Sequence, residues 1–480
     1  MARLLRSATA VAVALLLGAQ SADAHGLQIV GRKDVPVPDW LFAWGGAMVL
    51  VFSFAVLTLS WRQPILDRAP WWPLPPKLST ALRGRVVSSF CGLLGVLLFL
   101  LVLWSGFDGT ELASENFAST FVFVTFWLGL VPLSLLFGDV LRPFNPWYAI
   151  GRVFERLFEA FAGQRRPPLL AYPEWLGRWP AAIGLLAFIW FELVFGFARE
   201  GVTPSQVAAA ACGYSIVTFA GMVVFGTRTW IDRGEAFSVF FGMIASLAPL
   251  AVRRGSLGLQ PPVIGARSWP AKAGSVALVC ASIGGTIYDG ALESVLSGPM
   301  RWLSDRGLDL GISLTMSLRI GGTLLLVGCV LAVGLIYWLG VIGMSRVSGA
   351  PSRRELALAF AHAMIPIAVA YFVAHYFSLF VFAEQAQFTF LASDPLGRGW
   401  DLFGSADAEI DYSAIGATFT WYVQVGALVL GHVLALVLAH ERALVIFPDA
   451  KAAARSQYWM LAVMVALTTF GLFLLSESNQ

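Results

Sequence analysis

Four of the five histidines in this 480-residue chain lie within residues 355–442, in two long apolar stretches. His362 and His375 share the first stretch, and His432 and His440 share the second. Ionisable side chains at bilayer depth are costly, so each of them is a candidate for function. A neutral imidazole can bind a metal ion or act as a base near neutral pH. The sequence therefore predicts proton-transfer or metal chemistry on two membrane helices.

Three further charged residues lie in the outer halves of apolar stretches, at the depth of His375. They are Glu192 in FIWFELVFGF, Asp289 in GGTIYDG and Arg319 in TMSLRIGG. If they converge in an outward-facing cavity, the carboxylates and the imidazole could activate water or bind a metal. The guanidinium could hold a phosphoryl oxygen in a bidentate fashion. We predict His375, Glu192, Asp289 and Arg319 as the catalytic set. The alternative is that Arg319 pairs with Glu192 or Asp289 for structural reasons.

The other histidines lie nearer the predicted cytoplasmic side. At the helical rise per residue, His362 lies about 10 Å to the cytoplasmic side of the middle of its span. His432 lies about 5 Å to the cytoplasmic side of the middle of its own span. His362 and His375 are about 220° apart around their helix, so the two should not share one ligand. We predict His362 and His432 as paired metal ligands, or as a structural pair. His440 is interpreted as an interfacial residue at a helix end.

The N-terminus has the features of a secretory signal. Arg3 and Arg6 precede a short apolar run, and small residues around Ala24 fit a cleavage site. We expect a signal peptide over residues 1–24 and a single transmembrane helical domain over residues 25–480. Cleavage would make His25 the first residue, and its α-amine and imidazole together suit copper. Zn or Cu is accordingly the candidate cofactor.

Composition indicates a membrane protein. Hydrophobic residues make up 58% of the chain and charged residues 13%, against about 25% charged residues in soluble domains. Apolar runs of about 20 residues recur, each long enough for a helix to cross a bilayer. The sequence predicts an all-α, polytopic helical bundle, not a β-barrel. The formal charge of +3 comes from basic loops and indicates no nucleic-acid partner.

The apolar runs and the basic loops together predict about ten spans, within a range of nine to twelve. Residues 235–251 are apolar but short, and a crossing there would place the next basic loop outside. We therefore predict a re-entrant or interfacial helix at 235–251. The ten spans are residues 39–60, 86–105, 119–137, 179–198, 205–226, 273–290, 311–340, 356–382, 417–440 and 458–476.

This topology places both mature termini outside a bacterial inner (plasma) membrane, with the lipid bilayer as the main partner. The acidic loop 383–416, which contains Glu384, lies outside. The stretch from Trp147 to Phe161 is amphipathic and is expected to lie along the membrane surface. The four cysteines lie far apart in apolar segments without CxxC spacing, so we expect neither a disulfide framework nor a thiolate metal site. No P-loop, GxSxG or HExxH motif is present.

Four stretches together resemble a known family. They are SADAHGLQIVGRKDVPVPDWLFAW, ENFASTFVFVTFWLGLVPLSLLFGDVLRPFNPW, GGTIYDG and VQVGALVLGHVLALVLAHERAL. They are similar to bacterial polytopic membrane proteins of the fenitrothion (organophosphate) hydrolase family. The resemblance implies hydrolysis of an apolar aryl dialkyl phosphorothioate to a phenol and a dialkyl thiophosphate. A metal ion and a second protein subunit are compatible with that activity.

Two other functions stay open at this point. The histidines could belong to a metal- or haem-handling membrane protein, such as a copper importer or a redox subunit. Alternatively, the buried Glu192, Asp289 and Arg319 could serve a proton-coupled transporter. The chain shows no internal repeat of the kind that inverted-repeat transporters usually carry.

Overall fold

A computed structural model of the protein describes residues 39–164, 166–199, 201–292 and 294–477. The predicted signal peptide and His25 lie outside these residues. The described chain is a helical bundle, which confirms the predicted all-α fold. Its α-helices are α1 Asp39–Ser60, α2 Pro76–Leu82, α3 Arg85–Asp108, α4 Phe117–Thr120, α5 Leu130–Phe137, α6 Leu141–Phe144, α7 Pro146–Ala162, α8 Trp179–Trp190, α9 Pro204–Phe225, α10 Thr227–Arg233, α11 Ala236–Ala245, α12 Ser275–Leu292, α13 Ser297–Asp309, α14 Leu314–Met344, α15 Arg353–Phe360, α16 Ile365–Phe388, α17 Phe390–Ser393, α18 Ala417–Ile446 and α19 Ala450–Glu477.

Eight helical segments of the described chain are long and apolar enough to cross a membrane. The protein is therefore a multi-pass membrane protein. Three shorter apolar helices accompany them: Trp44–Ser60, Trp179–Phe195 and Ala236–Ala245. The eight long segments are Pro76–Asp108, Phe117–Phe137, Pro204–Phe225, Ser275–Leu292, Leu314–Met344, Arg353–Ser393, Ala417–Ile446 and Ala450–Phe473.

The short helix α11 occupies most of the stretch that we predicted not to span. Its ten residues would extend only about 15 Å, half the thickness of a hydrocarbon core. Its side chains are mostly buried in the protein. Glu235 caps its first turn by accepting hydrogen bonds from the backbone N–H groups of Phe237 and Ser238, at 2.9 and 2.8 Å. The buried helix start is thereby satisfied without water.

The end of that stretch forms a small sheet that the sequence did not predict. Strands β1 (Trp72–Pro73), β2 (Leu250–Arg253) and β3 (Ser256–Leu259) are antiparallel in the order β1-β3-β2. Arg254 and Gly255 form the β2–β3 turn with positive φ angles, as expected for a two-residue hairpin loop. Over such short apolar runs, the hydrophobic pattern does not distinguish a helix from a strand.

Helix α12 lies at the centre of the bundle and is buried along most of its length. It packs against α8, α14 and α16. A helix that is apolar on all sides is expected in such a position. Two π-helical segments, Phe121–Phe126 and Phe191–Phe195, interrupt the neighbouring spans. Single π-helical turns occur frequently at functional sites, and the second of these segments contains Glu192.

Helices α16 and α18 pack closely at Gly431, where there is no space for a side chain. Replacing Gly431 by Ala should destabilise the fold by about 1–3 kcal/mol. The added methyl group would meet the Ala370 side chain and would lie 2.7 Å from the carbonyl oxygen of Pro366. The thermal midpoint of the purified protein measures the loss.

Gly426 on the same helix is the matched control, because a Cβ there would meet nothing within 4 Å. We expect Gly426→Ala to keep or slightly raise the midpoint, since Ala favours helix. An unchanged midpoint in Gly431→Ala would contradict the close packing of α16 on α18.

Candidate functional site

The structure brings Asp289 of α12 into direct contact with His375 and Tyr376 of α16. The Nε2 atom of His375 lies 2.9 Å from Oδ2 of Asp289. The hydroxyl of Tyr376 donates to the same carboxylate oxygen at 2.7 Å. An ionised carboxylate can only accept hydrogen bonds, so the His375 tautomer that pairs with Asp289 has its proton on Nε2. In that neutral tautomer, the Nδ1 atom has a free lone pair.

Gly290 borders the free nitrogen of His375. A Cβ atom at this position would lie 3.3 Å from Nδ1 and 3.5 Å from Cε1 of the ring. The absence of a side chain at Gly290 thus leaves space beside the free lone pair. The side chains of His375 and Asp289 are 31% and 24% exposed. The imidazole can therefore meet a small molecule or water, although it lies within a membrane-spanning segment.

Glu192 lies close to this pair but does not touch it. It lines a small cavity with Tyr376, Ser282 and Thr286, and it interacts electrostatically with Asp289 and Tyr376. The cavity has room for about one water molecule. Among the described residues, neither an ion pair nor a hydrogen bond compensates the Glu192 carboxyl group. This region therefore contains three of the four predicted catalytic residues: His375, Asp289 and Glu192.

Arg319, the fourth predicted residue, interacts with an aromatic ring and not with a carboxylate. Its guanidinium carbon lies 4.2 Å from the centre of the Phe195 ring. Two of its nitrogens, Nε and one terminal nitrogen, are buried without a hydrogen-bond partner. No ion pair joins it to Glu192 or Asp289 in the described structure, so the alternative of a structural ion pair is not observed either. The cation–π contact offsets part of the burial cost of the charge.

The two inner histidines are buried separately. His362 lies in the 3-10 segment Ala361–Met364 and is 3% exposed. His432 is fully buried, and its Nδ1 donates to the Leu428 carbonyl at 2.7 Å. Both have an Nε2 atom without a hydrogen-bond partner. No group of three or more His, Cys, Asp or Glu side chains in the described chain could hold a metal ion. The described chain thus offers no third such ligand beside His362 and His432, and the predicted ligand His25 lies outside the described residues.

His440 is buried in the protein and does not lie at the end of its helix, where we expected it. It is 2% exposed, and its Nε2 lies 2.9 Å from the carbonyl oxygen of Trp61. The neighbouring Glu441 accepts from the Trp61 indole at 2.9 Å and from the Leu66 backbone at 2.7 Å. Helix α18 continues to Ile446, beyond the predicted end at residue 440. These two residues therefore bind the segment after α1 to the C-terminal part of α18.

Glu384 is a further, partly buried acidic group at a helical position that the sequence did not indicate. The prediction ended the span at residue 382 and placed Glu384 in the outer loop. Helix α16 instead continues to Phe388, so Glu384 is a helical residue. Its carboxylate accepts a hydrogen bond of 3.0 Å from Thr125, in the first π-helical segment. Sequence patterns locate helix ends poorly, so the predicted span ended too early to include Glu384.

Comparisons with protein-family models, with characterised proteins and with solved structures found no match for this chain. The four cysteines are free.

Proposed function

We propose that the protein is a membrane-embedded hydrolase of apolar phosphoric triesters, with His375 as the general base. The observation that supports this is the hydrogen bond between His375 Nε2 and Asp289, which leaves Nδ1 free beside Gly290. A carboxylate that orients an imidazole in this way is a recurring arrangement in hydrolases. The resemblance to fenitrothion hydrolases supports an aryl dialkyl phosphorothioate as the substrate class.

In this mechanism, Nδ1 of His375 removes a proton from a water molecule. The resulting hydroxide attacks phosphorus, and the bond between phosphorus and the aryl oxygen breaks. The products are a dialkyl thiophosphate and a phenolate, and the imidazolium then gives its proton to the phenolate or to solvent. Asp289 holds the ring in the required tautomer and stabilises the imidazolium that forms. Tyr376 positions Asp289 by donating to the same oxygen, Oδ2.

An apolar substrate suits the location of this site. A neutral triester partitions into the bilayer because burial of apolar surface is favourable. The partly exposed imidazole lies within an apolar segment of α16, so such a substrate can approach it without a soluble binding domain. We assign no step to Arg319, whose guanidinium lies over Phe195.

The test is release of the nitrophenol from fenitrothion by the purified full-length protein in lipid vesicles. We expect release to depend on the protein and to increase with its amount. Vesicles that contain an equal amount of an unrelated polytopic protein are the control. No release above this control, with or without added divalent metal ions, would overturn the proposed function.

Replacing Gly290 by Ala should lower kcat about 10- to 100-fold, because a displacement of a reacting group by about 1 Å can have an effect of this size. The methyl group would lie 3.3 Å from Nδ1 of His375, in the space that the attacking water needs. Steady-state kinetics on the triester measure the change. Gly328→Ala is the control, because a Cβ at Gly328 meets nothing within 4 Å. Equal activity of the two variants would contradict Nδ1 as the base.

A further inference from the structure

The small cavity beside Tyr376 is lined by four side chains that carry oxygen atoms and by five other residues. Its polar residues are Glu192, Ser282, Thr286 and Tyr376. Three helical segments meet there: the π-helical segment Phe191–Phe195, α12 and α16. The space is close to that of one water molecule. The remaining lining residues are Trp127, Ile189, Leu193, Gly285 and Phe372.

No basic side chain lines this cavity beside Glu192. Arg319 is the basic residue that the sequence suggested as its partner, but the guanidinium lies over Phe195. The nearby Asp289 adds a second negative charge and not a positive one. A bare carboxylate in apolar surroundings without a partner is costly, so such a group keeps its proton or binds a cation. A small bound cation would take the place of that proton.

The donor atoms of the cavity suit a hard cation. Its polar side chains offer carboxylate and hydroxyl oxygens, and neither nitrogen nor sulfur; such oxygens favour alkali and alkaline-earth ions. Ser282 and Thr286 are four residues apart and so lie on one face of α12. The Thr286 hydroxyl donates to the Ser282 carbonyl at 3.1 Å, which leaves its oxygen lone pairs free to bind a cation.

The size and charge of the cavity indicate a monovalent ion. Ca²⁺ takes about six to eight oxygen ligands, usually with several carboxylates, and Mg²⁺ usually keeps several waters. Glu192 is the one carboxylate in the lining, and the space holds about one water. A Na⁺ ion that has lost its hydration shell needs no more room than this.

We propose that the cavity formed by Glu192, Ser282, Thr286 and Tyr376 is a Na⁺ site, with Glu192 as the anionic ligand. The ion would tie the π-helical segment to α12 and α16. Tyr376 also donates a hydrogen bond to Asp289. The bound ion would therefore help to hold Tyr376 and Asp289 in place beside His375. The site does not depend on the proposed hydrolase activity.

The test is the thermal midpoint of the purified full-length protein in NaCl and in choline chloride of equal ionic strength. Ligands that bind only the folded state stabilise it in a saturable way. We expect the wild-type midpoint to rise by about 3 °C or more as NaCl replaces choline chloride. Glu192→Gln should show no such rise. Glu384→Gln is the matched control, because Glu384 is a partly buried acid outside the cavity, and it should keep the full rise.

Two results would overturn the Na⁺ site. One is a wild-type midpoint that is the same in both salts, and the other is a full Na⁺-dependent rise in Glu192→Gln. If Glu192→Gln does not fold, the double variant Ser282→Ala, Thr286→Val replaces it. We expect this variant to need about tenfold more Na⁺ for the same rise, and an unchanged Na⁺ requirement would overturn the proposal. None of these measurements uses triester hydrolysis, so the Na⁺ site and the proposed function can fail independently.

Discussion

Replacing His375 by Asn is expected to lower kcat for triester hydrolysis by about 10²- to 10⁴-fold, the usual contribution of a positioned general base. Asn has no group that accepts a proton near neutral pH. Because KM for an apolar substrate depends mainly on burial of its apolar surface, KM should change little. Steady-state kinetics in lipid vesicles, with the amount of folded protein normalised by size-exclusion profile, measure the effect.

His440→Asn is the control for His375→Asn. His440 is buried and contacts the Trp61 carbonyl, so its replacement tests a structural histidine of the same bundle. We expect a lower thermal midpoint with kcat per folded molecule close to that of the wild type. A His375→Asn variant that hydrolyses the triester at the wild-type rate would exclude His375 as the base.

Replacing Asp289 by Asn should lower kcat by about 10²- to 10⁴-fold as well, for a different reason. The amide nitrogen of Asn can donate a hydrogen bond to Nε2 of His375. The ring would then carry its proton on Nδ1, its lone pair on Nε2 would accept the amide hydrogen bond, and no free lone pair would face Gly290. The negative charge that stabilises the imidazolium would also be absent. Kinetics on the folded variant measure the loss.

Tyr376→Phe distinguishes the orienting role of Asp289 from a general loss of structure. This variant removes one of the two hydrogen bonds at Asp289 Oδ2 and leaves the bond to His375. We expect a fall in kcat of about tenfold, much smaller than that of Asp289→Asn. Equal losses in both variants would mean that Asp289 acts through the fold and not through the imidazole.

The fold class was predictable because apolar run length alone identifies helices that can cross a bilayer. Interruptions within those helices were not predictable. The prediction treated 356–382 as one span, whereas the chain has a 3-10 segment at Ala361–Met364 and continues in α16 to Phe388. The hydrophobic pattern did not indicate the π-helical segments at Phe121–Phe126 and Phe191–Phe195, because their residues are as apolar as those of regular helical turns.

The site was predictable as far as depth along the membrane could determine it. Asp289 and His375 were placed at the same level, and they are in contact. Rotation around each helix decides the remaining contacts, and depth does not report it. Arg319 was expected near Glu192 and Asp289 but lies over Phe195, because an aromatic ring can also accommodate a guanidinium. The contact between Tyr376 and Asp289 was not predicted for the same reason, because it depends on the rotation of each helix about its axis.

Hydrolysis of fenitrothion in ¹⁸O-labelled water by the purified protein tests the central claim most directly, namely that His375 activates water for attack on phosphorus. We predict that nitrophenol is released, that the label appears in the dialkyl thiophosphate and not in the nitrophenol, and that His375→Asn loses this release. Absence of hydrolysis by the folded wild-type protein, or label in the nitrophenol, would contradict the mechanism.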